Sequence, residues 1–360
     1  MSRIHLVTSA MLVALLGACA APRTQIPDID ARYAASEAAK QKEIALRQQL
    51  EDFSRLGRVS LPILAGGVSQ CENKRFTVGM AYVNSQSYDS EWRGAAAAIL
   101  GHDSRLKVIQ VVDGFPAAEG GLRQGDMLFA VNGEYAPAGV EALKKFSKLA
   151  NAAIERDGVL ELTVLRDNVK HTVRAVPREI CDYPVEMTLD DQINAFADGK
   201  AIYVTRGMMR FATSDQELSL VIAHELAHNV MGHIDAKQDN AIAGGFGGLL
   251  LDILAAAGGV NTGGAFSDAG MKAGASSYSV EFEHEADYVG LYFMANAGLE
   301  IDGVANFWRR MATVNSGAIS RASTHPTTPS RFLAIEAAVD EIKRKQTAGL
   351  PLSPTMKSVD

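Results

Sequence analysis

The sequence lacks a surplus of positive charge: 35 Lys and Arg stand against 42 Asp and Glu, a net charge of −7. Nothing in that balance points to nucleic acid, and no nucleic-acid partner is expected. Also missing is an apolar run long enough to cross a bilayer comfortably. The run from Leu6 to Leu16 is too short, and residues 241–277, though rich in Gly, Ala, Leu and Ile, are short and interrupted. Cysteine is scarce, with three in 360 residues. Cys19 directly follows Leu16-Gly17-Ala18 at the end of the apolar run. Cys71 and Cys181 are left as an even pair, and a disulfide between them would fasten the two ends of the middle of the chain. What remains is 47% hydrophobic, a soluble globular composition long enough for two or more domains with sizeable cores.

What is present is centred on His224-Glu225-Leu226-Ala227-His228, the pattern H-E-x-x-H, set among Leu218, Leu220, Val221, Ile222, Val230 and Met231. Ser214 and Glu217 make a capping box, which predicts a helix beginning near Asp215 and running through His228, buried on most sides. His224 and His228 then lie one turn apart on one face. Two imidazoles at that spacing suit one Zn²⁺, and Glu225 beside them is placed to take a proton from the attacking water. The plainer alternative is a core helix with satisfied polar residues. The extended pattern H-E-x-x-H-x-x-G-x-x-H would need Gly at 231 and His at 234, where Met231 and Ile234 stand; Gly232 and His233 each miss by one residue. A third ligand must come from elsewhere.

The next dense acidic cluster, Glu281 to Asp287, opens a second helical stretch from about Ser279 to Ala297, stopped by Gly298. Glu283 and Asp287 are four apart and share a face with Gly290, whose missing side chain lets this helix approach the first. Glu283 as ligand, with Asp287 as the partner of a ligand histidine, is the economical assignment. Glu281, His284 and Glu285 compete, and helical geometry alone does not separate them.

Residues 214–233 and 278–290 resemble the gluzincin metallopeptidases that include the CAAX prenyl protease and the HtpX heat-shock protease. The E-x-x-A-D element of that family aligns with Glu283-His284-Glu285-Ala286-Asp287, which implies Glu283 as third zinc ligand. Ile193 to Ala197 and Ile202 to Gly207 are similar to the family's edge strand and hairpin, which implies that Asn194 and Ala195 hold an extended substrate. Ser323-Thr324-His325-Pro326 with Arg331 is similar to its T-H-P-x-x-x-x-R element. By that likeness His325 and Arg331 stabilise the oxyanion, with His325 alternatively closing the site as a self-inhibiting ligand. The family's Ser-Arg before the glutamate is here Ser279-Val280. The resemblance covers roughly residues 190–340.

Around this domain the sequence implies further parts. Residues 1–18 ending at Cys19 look like a bacterial lipoprotein signal, with lipid on the Cys19 sulfur; Ala20 after it favours the outer membrane. Residues 19–57, rich in Ala, Glu, Gln, Lys and Arg, read as a helical tether. Residues 73–180 read as mostly β, with tight turns at Asn132-Gly133 and Asp167-Asn168. Gly114 to Gly133 resembles a bacterial PDZ domain, which implies binding of a peptide or C-terminus along a sheet edge, with Val78-Gly79-Met80 in the carboxylate-binding loop. Residues 346–360 read as a disordered tail. The fold class expected is α+β: a mainly helical gluzincin domain over 181–345 with a small edge sheet, plus the β-rich PDZ-like domain. The function expected is a lipid-anchored, periplasm-facing metalloendopeptidase with one Zn²⁺, acting on unfolded or misassembled envelope proteins. The alternative is a chaperone-like or peptide-binding lipoprotein whose zinc site is structural or self-inhibited.

Overall fold

The computed structural model describes residues 24, 27–257, 260, 262–276, 279–314 and 329–357. Cys19 and His325 lie outside them. The chain opens with α1 (Ala31–Gly66), capped by the Asp30 carboxylate, which accepts from Arg32 N at 2.8 Å. Its first half is largely polar and exposed, and its second half joins the core. Leu56, Val59, Ile63 and Leu64 are buried in the main core, because the polar run gives way to apolar residues at helical spacing from Leu56 onward. Leu46 also packs, under Ala95 and Ala96.

The middle region contains β1 (Lys74–Thr77), β2 (Met80–Val83), α2 (Arg93–Leu100), β3 (Lys107–Val111), α3 (Pro116–Glu119), β4 (Met127–Val131), β5 (Glu134–Tyr135), α4 (Ala142–Asp157), β6 (Leu160–Arg166), β7 (Val169–Ala175) and β8 (Arg178–Cys181). One sheet runs β2-β3-β4-β6-β7, with β5 on β4. Both expected tight turns form: Asn132 and Gly133 have φ of 44° and 83°, and Asp167 and Asn168 have 50° and 61°. Phe146 and Ala150 of α4 close a separate core with Leu128, Leu162 and Val164. β1 and β8 pair antiparallel, and a Cys71–Cys181 disulfide joins the two ends of this region across 110 positions. In the loop-entropy account a closure of that length contributes about 4–5 kcal/mol.

The last part holds β9 (Val185–Thr188), β10 (Ala195–Ala197), β11 (Ile202–Thr205), α5 (Arg206–Phe211), α6 (Asp215–Val230), α7 (His233–Ala257), α8 (Ala265–Ser276), α9 (Ser279–Asn296), α10 (Ala305–Val314) and α11 (Pro329–Thr347). Arg206 and Gly207 start a helix instead of extending the hairpin, because Thr205 Oγ1 accepts from Met208 N at 3.1 Å and caps it. Arg55 of α1 donates to the carbonyls of Met209, Ala212 and Ser214 and to the Asp215 carboxylate, which ties α1 to the start of α6. Residues 350–356 are placed, in contrast to the disordered tail expected: Thr355 N donates to Tyr288 Oη at 3.0 Å, Lys345 Nζ to Ser353 O at 2.9 Å and Asn296 Nδ2 to Leu352 O at 3.1 Å. The apolar Leu352 packs on the core, which the proline-rich composition concealed. Helix predominates in a mixed helix-and-sheet chain, in keeping with the α+β class.

Candidate metal centre

Helix α6 starts where Ser214 and Glu217 place it. Ser214 Oγ accepts from Glu217 N at 3.2 Å, while the returning Glu217 carboxylate accepts from Thr213 N at 2.8 Å, one residue earlier than in a standard capping box. From Leu218 to Asn229 every residue of α6 is buried. Helix α9 crosses it at Gly290, where a Cβ would stand 3.0 Å from the carbonyl carbon and oxygen of Ala223 and 3.1 Å from His224 N. A side chain there would require the two helix backbones to give way locally by a few tenths of an ångström.

Three ligand groups converge as a result. His224 Nε2 and His228 Nε2 are 3.1 Å apart, and they lie 3.3 Å and 3.4 Å from the two Glu283 carboxylate oxygens. Donors at about 2.0–2.1 Å from a tetrahedral zinc stand about 3.3 Å from one another, so the spacing already suits that ion. Among the described residues this is the group of His, Cys, Asp or Glu side chains placed to share a metal. The charges agree. Glu225, Glu283 and Asp287 are all at most 3% exposed and face one buried guanidinium, Arg331; formally this leaves two negative charges, which one divalent cation balances. Lys237 stands at the edge, 4.0 Å from Glu283.

The outer nitrogen of each histidine is held as well. His224 Nδ1 and Asp287 Oδ1 are 2.9 Å apart, so the Nδ1–H is donated and the Nε2 lone pair is left for a metal. His228 Nδ1 meets His233 Nδ1 at 2.9 Å, and His233 Nε2 meets Glu285 Oε2 at 3.1 Å. Glu285 accepts from His233 Nε2–H, so His233 Nδ1 accepts from His228 Nδ1–H. That direction alone leaves His228 Nε2 free of a proton. Burial lowers both ligand histidines, but for His224 the carboxylates of Asp287 and Glu283 outweigh it and hold the imidazole up at about 9; His228 falls to about 4. The carboxylates around His224 thus favour positive charge at that position, which a bound divalent cation supplies in place of a proton, while His228 is neutral.

The remaining candidates separate. Glu281 is exposed and Glu285 belongs to the His233 relay, while His284 lines a different cleft with Tyr288, Ala334 and Met356. Arg331, expected at the oxyanion, is placed against Asp287. Its Nε and Nη2 donate to the two Asp287 oxygens at 2.5 Å and 2.9 Å, its Nη1 is 3.4 Å from Glu283, and its plane lies over Trp308 at 4.5 Å. The side chain is fully buried and braces Asp287 and the ligand Glu283. Asn194 spends its main chain inward, N to Thr205 Oγ1 and O to Thr205 N, whereas the alternation of β10 turns the main chain of Ala195 and Ala197 to the outer edge of the β10-β11-β9 sheet. In the middle region Gly79 N already donates to Thr77 Oγ1 at 3.1 Å, so it is spent for a carboxylate.

His233 is the residue sequence reasoning passed over. Gly232 at φ 67° ends α6 and folds the chain back, so the imidazole that missed the expected spacing as a ligand returns as a support. His233→Ala is expected to weaken zinc affinity by about 10–100-fold, measured by competition with a chromophoric chelator, with helical content retained.

Residues 162–339 match the model of peptidase family M48. The chain is 31% identical over 171 residues to the putative beta-barrel assembly-enhancing protease of Vibrio cholerae, covering 45% of this chain and 35% of that protein. It is 31% identical over 162 residues to the mitochondrial metalloendopeptidase OMA1 of Schizosaccharomyces pombe, covering 44% and 47%. With the metalloprotease LoiP of Escherichia coli K12 it is 27% identical over 188 residues, 51% of this chain and 72% of that one. The chain thus spans less than half the length of the first two relatives.

Proposed function

We propose, from the match of residues 162–339 to the model of peptidase family M48, that the chain is a zinc metalloendopeptidase of that family. The observation that carries this is the convergence of His224, His228 and Glu283 within 4.8 Å, with Glu225 next to the first ligand on the same helix. A zinc ion in such a set acidifies a water and polarises a carbonyl. Glu225 accepts the proton of the attacking water and returns it to the leaving amine. Asp287 and His233 each take the Nδ1–H of a ligand histidine and so direct its Nε2 toward the metal, Arg331 fixes Asp287 and Glu283, and the outer edge of β10 holds the substrate main chain extended.

That edge favours unfolded or flexible chains. Two relatives carry names that speak of β-barrel assembly or of metalloendopeptidase activity. Together with the lipoprotein-like Cys19 they support an enzyme anchored by lipid in a bacterial envelope, facing the periplasm and clearing misassembled envelope proteins. The middle region supplies a PDZ-like peptide site: β2 is an edge strand of its sheet and α4 flanks it, where Tyr82 Oη meets Ser147 Oγ at 2.9 Å. The burial of all three ligands and of Glu225, none above 2% exposed, keeps a second reading in play, a peptide-binding lipoprotein with a closed metal site. His325 fits that closure or the oxyanion role. The test is cleavage of casein by the full-length chain beside a tightly folded control protein. Cleavage of casein alone, stopped by a zinc chelator, supports the peptidase; no cleavage of either moves the weight to the second reading.

A further inference from the structure

The hairpin of α7 and α8 is inserted between the two metal-bearing helices, and beyond its junction with α6 each arm packs chiefly on the other. The seam between the arms is made of glycine. A Cβ at Gly248 would lie 2.0 Å from Phe266 O, one at Gly270 2.1 Å from Gly244 O, and one at Gly245 2.6 Å from Met271 Cγ. Backbone therefore meets backbone, the way two helices pack when hydrocarbon surrounds them and no apolar surface is gained by their pairing.

The outer surface is apolar and uncovered. Ile242, Phe246, Leu250, Ile253 and Leu254 are 56–68% exposed. At 100° per residue, Leu249, Leu250, Leu251, Ile253 and Leu254 sweep roughly 200° of the circumference of α7, leaving Gly248, Asp252 and Ala255 for the seam. A protein partner covers one side of such an element; a sweep that wide on a projecting hairpin fits a medium that surrounds it. Charge follows the same division. Between Ala241 and Gly264 the sole charged residue is Asp252. It is turned inward, accepting from Ser267 N at 2.8 Å, Phe266 N at 3.2 Å and Thr262 Oγ1. Lys237, Asp239, Asp268 and Lys272 lie on the body side of Leu249. From Leu249 to the end of α7 at Ala257 the arm rises about 13 Å, close to one leaflet of a hydrocarbon core about 30 Å thick. No described helix is long and apolar enough to cross a membrane.

We propose that the distal part of this hairpin, with Leu249, Leu250, Ile253, Leu254 and Phe266, sinks one leaflet deep into a phospholipid bilayer and holds the metal site at the membrane surface, independently of acylation at Cys19. The charged residues below Leu249 then stay among the headgroups. The inference does not rest on peptidase activity.

The test uses the full-length chain with Cys19→Ser, so that no acyl chain contributes, and with Cys71 and Cys181 left in their disulfide. A polarity-sensitive fluorophore is placed at Leu250→Cys or, as a control on the body, at Lys144→Cys. Vesicles of phosphatidylethanolamine and phosphatidylglycerol, with and without a nitroxide-bearing lipid, are then added. The expected result is a blue shift and nitroxide quenching at position 250 and neither at 144. Leu250→Ser, Ile253→Ser and Leu254→Ser together should lower the vesicle-bound fraction by about tenfold or more, with helical content unchanged. Position 250 silent toward vesicles would overturn the proposal. So would a blue shift that needs no vesicles and grows with protein concentration, which would identify a second copy of the chain as the cover.

Discussion

Glu225→Gln is expected to lower the kcat of peptide hydrolysis by about 10²–10⁴-fold while the chain keeps its zinc. The substitution is isosteric and the ligand set of His224, His228 and Glu283 does not include Glu225, so metal content should be unchanged. What is removed is the carboxylate that accepts a proton from the attacking water and returns it to the leaving amine. Neither transfer contributes to ground-state binding along the β10 edge, so KM should move little; a loss in kcat at constant KM is the mark of an interaction made in the transition state. Steady-state kinetics on a fluorogenic peptide, with metal analysis on the same preparations, separates this from a structural role. Retained kcat would remove Glu225 from the chemistry.

Arg331→Met is expected to destabilise the metal-free chain by about 3–5 kcal/mol, the usual cost of stripping one partner from a buried ionic cluster. Burial pushes the Asp287 carboxyl up, yet Arg331 and His224 pull it down to about 2; without the guanidinium the larger of those two attractions is gone. Three buried carboxylates then have no buried guanidinium opposite them. Added zinc should restore part of the loss by supplying positive charge at Glu283, so the variant should gain more from zinc than the native chain does. Arg331→Lys keeps the charge but loses the paired bonds to Asp287 and should fall between the two. The check is thermal unfolding with and without zinc; an unchanged metal-free midpoint in Arg331→Met would contradict the account of Arg331 as the residue that orients Asp287 and Glu283.

Much of this centre was legible before the fold because its chemistry sits on two uninterrupted helices. Ser214 and Glu217 mark the start of α6, the four-residue period puts His224 over His228, and Gly290 and Gly298 mark where α9 comes close and where it stops. The readings that failed depended on contacts between distant parts. His233 reaches His228 through the left-handed Gly232, where helical spacing no longer applies. Arg331 has a charge that any sequence reading notices, but which group it faces is decided by the packing of α11 against α9. The second half of α1 was concealed by the polar composition of the first half, and residues 350–356 by their prolines. In the middle region alternation and turn chemistry locate the β6–β7 hairpin, whereas the pairing of β1 with β8 joins segments about a hundred residues apart and leaves no local trace.

Zinc stoichiometry of the full-length chain, measured beside Glu283→Gln and His228→Ala, bears most directly on the central claim. One zinc per native chain, a marked loss in both variants, and peptide cleavage that stops on chelation and returns with zinc are the results expected. A native chain that carries no metal, or that cleaves peptides as well after chelation as before, would contradict it.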